Sequence, residues 1–134
     1  MPKALLLLLL SPFLAFGQID TYQIYNSKEK TVKYNKLLKQ AQAADVILFG
    51  EFHDNPISHW LQLELTKEMY AEVGSNLQLG FEMFEQDQQE LLSQYLMGNL
   101  TTKQFKDTVR LWPNYETDYA PIIEFAKTNK LFCV

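Results

Sequence analysis

Residues 45–55 read DVILFGEFHDN. Four apolar residues, Val46 to Phe49, run without interruption between Asp45 and Gly50. An apolar run of this length, with no alternation and with turn signals at both ends, predicts a strand buried on both faces, as in a parallel sheet. Directly after Gly50 come Glu51, His53 and Asp54. In open α/β sheets, ligands bind outside the carboxyl ends of the strands. A glutamate and a histidine at such an end are therefore candidates for chemistry.

The segment that follows, NPISHWLQLELTKEMYAEVG, predicts a long helix. Asn55 suits the N-cap and Pro56 the first helical position. Ile57, Leu61, Leu65 and Met69 recur every four residues, and Gly74 supplies the stop. LQLGFEMF (77–84) predicts a second strand, and QDQQELLSQYLMG (86–98) a second helix stopped by Gly98. Thr101 and Gln104 form the spacing of a capping box and open a third helix. LWPNYETDYAP is an aromatic-rich loop leading into a helix capped by Thr117 or Asp118, and LFCV (131–134) opens a further strand. Upstream, YQIYNSKEKTVKY predicts a β-hairpin, and NKLLKQAQAA a short helix over Asn35–Ala43.

Helices alternating with strands define the class: α/β, with a parallel-sheet β-α-β core flanked by helices. Two complete parallel strands leave much apolar surface uncovered. The expectation is an incomplete, truncated domain, the front half of a longer one.

The chain has 134 residues, enough for one ordinary domain. A hydrophobic fraction of 47% with 21% charged residues excludes a disordered chain. A net charge of -4 with scattered lysines offers no footprint for nucleic acid. Residues 1–17 differ from the rest. Lys3 precedes the apolar ALLLLLL and FLAF segments, and Ala15 and Gly17 sit where small residues are needed for cleavage. This is the pattern of a secretory signal peptide, too short for a membrane span. The mature domain is then 18–134, exported to the periplasm or cell envelope. The lone cysteine, Cys133, forms neither an internal disulfide nor a cysteine-type zinc site.

The candidate site has two carboxylates. Glu51 follows the first strand and Glu82 ends the second, in GFEMF. If the strands are neighbours, the two converge with His53 in one crevice, a set able to bind a divalent cation or to move protons. The long helix aims its N-terminus at the same crevice, which favours an anion. His59 lies one turn in. Glu82, flanked by Phe81, Met83 and Phe84, is costly to bury without a partner. Plainer readings stand beside these. Glu51 and Asp54 serve as helix-start acids, His53 and His59 as solvent-facing residues, and Trp112, Tyr115 and Tyr119 as core packing. The alternative for the tyrosines is ligation of ferric haem iron.

Several segments taken together, ADVILFGEFHDNPISHWLQLEL, GFEMFEQDQQELLSQYLMG and LWPNYETDYAPIIEFAK, resemble the ChaN-like family of bacterial haem-binding proteins. That family stands with the wider TIKI and erythromycin-esterase-like proteins. Their shared G-E-x-H motif is Gly50-Glu51-Phe52-His53 here. The resemblance implies an exported haem-binding protein of haem and iron acquisition. It implies a pocket lined by Glu51, His53, His59, Glu82, Tyr115 and Tyr119, with haem as partner. A homodimer and association with outer-membrane iron-uptake machinery are further expectations. The wider superfamily includes hydrolases, which makes a metal-dependent hydrolase with Glu51, His53 and Glu82 as metal ligands the alternative. A fragment without autonomous activity is the third reading. Two departures from the family pattern are Ser58 before His59, where His-His is common, and Gln86, where an Arg is common.

Overall fold

The computed structural model describes residues 21–134. The leader expected over residues 1–17 lies outside them. Chain order begins with the hairpin of β1 (Ile24–Tyr25) and β2 (Thr31–Val32), paired antiparallel. The turn is closed by Asn26, whose side-chain oxygen accepts from the amides of Lys28 and Lys30. Helix α1 spans Tyr34–Gln42 and α2 spans Pro56–Val73. The Asn55 side chain accepts from the amides of Ile57 and Ser58, and Gly74 closes α2 at φ 60, a value that a Cβ would strain.

Strand β3 (Gln78–Leu79) is followed by α3 (Gln89–Leu96), α4 (Thr102–Thr108), α5 (Ala120–Thr128) and β4 (Phe132–Cys133). The predicted capping box is present on α4: Thr101 accepts from the Gln104 amide, and the Gln104 side chain accepts from the Thr101 amide. The strands β3 and β4 pair in parallel, Gln78 opposite Phe132 and Leu79 opposite Cys133. Two further bonds extend the ladder, Phe81 N to Val134 O at 2.8 Å and Val134 N to Leu79 O at 2.9 Å. The parallel crossover thus runs through three helices. The fold mixes helix and sheet, and the parallel core is small.

Two predicted strands are corrected. Val46–Phe49 is not a buried strand. Among the described residues it makes no backbone hydrogen bond to a neighbour, and Val46 and Leu48 are 74% and 92% exposed. Apolar content equips a segment for burial between sheet layers. A ladder also needs partner strands, and the described parallel sheet has only two, paired with each other. The second strand shrinks from 77–84 to Gln78–Leu79, because the chain turns after Phe81.

The main core lies where α3, α4 and α5 meet β4. Leu92, Tyr95, Phe105, Ile123 and Cys133 are its largest fully buried members. The Tyr95 and Phe105 rings stack at 4.1 Å. A smaller cluster, Ala41, Leu65 and Met69, joins α1 to α2. Between Trp112 and α5 the chain makes a π turn, Tyr115–Tyr119, where the sequence predicts a loop. This turn packs against α2 and delivers one tyrosine to the core and the other to the site.

Candidate functional site

The site is built around Glu51. The chain leaves the apolar run at Gly50 and turns at once, with the Asn55 amide donating to the Phe52 carbonyl at 3.0 Å. That turn brings His53 back beside Glu51, while Asn55 starts α2 and sets His59 on its first turn, facing inward and buried. Gln62 follows one helical turn later on the same face. The π turn supplies Tyr119 from the other side.

Four side chains converge on the carboxylate. The Tyr119 hydroxyl donates to Glu51 Oε1, and the Gln62 amide donates to Oε2. His53 Nδ1 lies 3.0 Å from Oε1 and His59 Nδ1 lies 3.4 Å from Oε2. Glu51 is only 13% exposed. Burial by itself pushes its carboxyl up. The hydrogen bonds from Tyr119, His53 and Gln62, with the neighbouring His59, outweigh that and hold it below the ordinary glutamate range. Glu51 is therefore an ionised, anchored carboxylate. Burial and the bond to Glu51 push the Tyr119 phenol far up, so it keeps its proton as donor.

Each ring nitrogen of His59 faces oxygen. Nδ1 is 3.0 Å from Gln62 Oε1, and Nε2 is 3.1 Å from the His53 carbonyl. Asp118 Oδ2 stands 3.9 Å from Nε2. The Asn114 amide donates both to the His53 carbonyl and to Asp118. This ties the π turn to the loop that carries His53. Three ring contacts join four rings around the cluster: Trp112 meets His53 edge-on at 4.4 Å, Tyr119 meets Trp112 at 5.4 Å, and His59 meets Tyr119 at 4.5 Å.

His53 occupies the boundary. Its Nδ1 faces Glu51, while Nε2 lies 4.0 Å from Glu82 Oε2, and the side chain is 52% exposed. Glu82 itself is 80% exposed and belongs to the turn after β3. The expectation that it is a desolvated acid at a strand end is corrected: Met83 and Phe84 turn into the core and Glu82 turns out. It approaches the cluster through His53, and not by adjacent strands carrying two acids together.

Of the six expected residues, Glu51, His53, His59 and Tyr119 are assembled and Glu82 borders them. Tyr115 is elsewhere. It is buried in the main core, 6.2 Å from the Phe105 ring centre, and burial raises its phenol well above the ordinary range. Two other expectations change. Asp118 caps no helix and instead bonds Asn114. The α2 N-terminus is not an open anion site, because Asn55 already occupies two of its amides.

The divalent-metal set loses its geometry. Glu51 and Glu82 face opposite nitrogens of the single His53 ring, so the three are not gathered around one nitrogen in this structure. Among the described residues no group of three or more His, Cys, Asp or Glu side chains is placed to hold a metal ion.

Gln62 and Asn114 escaped the sequence reading. Gln62 was within reach, since it stands three residues after His59 on a predicted helix. Asn114 was not, because its partner carbonyl is 61 residues away.

No curated protein and no solved structure matches the chain. The sequence profile of the haem-binding uptake family ChaN, of the Tiki superfamily, matches residues 37–134, and this chain belongs to that family.

Proposed function

We propose that the chain binds haem at the mouth of this cluster, with Nε2 of His53 as the iron ligand, and that it serves haem uptake outside the cytoplasm. The observation that carries the reading is the division of labour on one imidazole. The inner nitrogen is tied to a partly buried, anchored carboxylate. The outer nitrogen is on the exposed side, met only by a solvated glutamate. Ligating histidines commonly give their second ring nitrogen to a carboxylate, which fixes the tautomer and makes the ligating nitrogen more basic. Glu51 has that role here, and Tyr119, Gln62 and His59 keep it in place.

The residues fit the group in two further respects. Trp112 stands against the His53 ring and limits its rotation. Phe52, the residue before it in the chain, is exposed and offers apolar surface to a ligand. When bound, haem supplies an iron that accepts a nitrogen ligand. Tyr119 does not compete for that position. Its hydroxyl proton is committed to Glu51, and a tyrosine ligand has to lose that proton. Export rests on the leader-like residues 1–17 and the family's part in uptake.

Titration of haem into the full chain tests the reading. A saturable Soret change that His53→Ala removes and Tyr115→Phe leaves in place is the expected result. A change of equal size in His53→Ala refutes it.

A further inference from the structure

The backbone of His53 is held by the same segment that holds its ring. Asparagine before a helical turn ordinarily spends its side chain on the first amides of that turn. Asn114 precedes the π turn, yet its side chain caps nothing there. Its amide group reaches across to the loop instead, donating to the His53 carbonyl and, at 2.7 Å, to Asp118 Oδ2. Both partners are oxygens that accept, so Nδ2 and not Oδ1 faces them. His59 Nε2 lies 3.1 Å from the same carbonyl. The ring end of the residue is fixed from the same turn: Tyr119 bonds Glu51, and Glu51 faces Nδ1 of the imidazole. Trp112, two residues before Asn114, lies against the imidazole itself. Residues 112–119 thus grip His53 at its carbonyl, at its ring and, through Glu51, at its inner nitrogen.

We propose that Asn114 is a positioning residue for haem: by fixing the His53 carbonyl it sets the backbone from which the imidazole reaches out, and so aims Nε2 at the iron. The inference rests on His53 as the iron ligand and adds what orients it. The bond is made to the peptide, so it is the same whatever the charge of the imidazole. Packing alone leaves the ring room to turn, because the His53 side chain is 52% exposed. Removing the groups that orient a metal ligand commonly costs about 10- to 100-fold in affinity. His59 still meets the carbonyl when Asn114 is gone, which places the expected loss at the lower end, about tenfold.

The test compares the full chain with Asn114→Ala, Asn114→Asp, Thr101→Ala and His53→Ala. Asn114→Asp keeps the shape of the side chain and removes the donor. Thr101→Ala removes the cap of α4, outside the cluster, and controls for lost stability alone. Haem titration is expected to show about tenfold weaker binding by both Asn114 variants and parent-like binding by Thr101→Ala. A second readout needs no haem: the NMR cross-peaks between the His53 and Trp112 rings should weaken in both Asn114 variants and persist in Thr101→Ala. Parent-like haem binding by the Asn114 variants overturns the proposal, as do unchanged ring cross-peaks or an equal loss of binding in Thr101→Ala. If His53→Ala binds haem like the parent chain, the ligand assignment fails and this proposal falls with it. If His53→Ala loses binding and the Asn114 variants do not, only the positioning role is wrong.

Discussion

Replacing Tyr119 with Phe removes one hydroxyl from the centre of the cluster and leaves the ring. The ring still packs against His59 and Trp112. What is lost is a hydrogen bond donated to a carboxylate that is 13% exposed. Hydrogen bonds to charged groups contribute about 1.5–3 kcal/mol, and water has little access to replace this one. Tyr119→Phe should therefore lower unfolding stability at pH 7 by about 1.5–3 kcal/mol. Urea denaturation should show a lower midpoint with an unchanged slope. The loss has a defined pH dependence. The Glu51 carboxyl is held below its ordinary value of 4.5 in the folded chain. A depressed carboxyl contributes stability above the unfolded value and loses it as pH falls through the folded one. The gap between parent and variant should hold at neutral pH and close below pH 4.5. In a Glu51→Gln background the hydroxyl meets a neutral amide, so the same substitution should cost less, and the double-mutant cycle reports the difference. A Tyr119→Phe chain within about 0.5 kcal/mol of the parent at pH 7, the range of ordinary surface changes, would refute the placement of Tyr119 on Glu51.

Leu48→Asp should change stability by no more than about 0.5 kcal/mol, because Leu48 is exposed. A urea midpoint shift equivalent to about 2 kcal/mol or more, the size of a core substitution, would restore the buried strand that the apolar run predicts. Cys133 is buried in the core, and burial pushes its thiol up to about 12. Since the thiolate is the reactive form, iodoacetamide at pH 8 should label Cys133 only after denaturation. Labelling of the native chain at the rate of a free thiol would contradict the packing of β4.

Local signals were legible in the sequence where they act locally. Asn55, Pro56 and Gly74 bound α2, and Thr101 with Gln104 starts α4, because caps are decided by residues a few positions apart. The hairpin and α1 were legible for the same reason. Strands depend on distant neighbours. Val46–Phe49 has the composition of a buried strand, but composition cannot supply the ladder, and among the described residues β3 pairs with β4. The site divides in the same way. Glu51, His53 and His59 stand within nine positions of one another and could be read together. Which tyrosine reaches them was not readable: the π turn shifts the helical register, so Tyr119 faces Glu51 while Tyr115 enters the core beside Phe105. Glu82 misled because its apolar neighbours implied burial. The turn after Phe81 sends Met83 and Phe84 inward and leaves the acid outside.

In the proposed complex the imidazole of residue 53, held from within by the partly buried Glu51 carboxylate, is what meets iron. Resonance Raman or magnetic circular dichroism of the ferric haem complex identifies the axial ligand by its atom type. A nitrogen-ligated spectrum in the parent chain, absent in His53→Ala and retained in Tyr119→Phe, is the predicted result. A phenolate-ligated spectrum, or a nitrogen-ligated one that survives in His53→Ala, would contradict it.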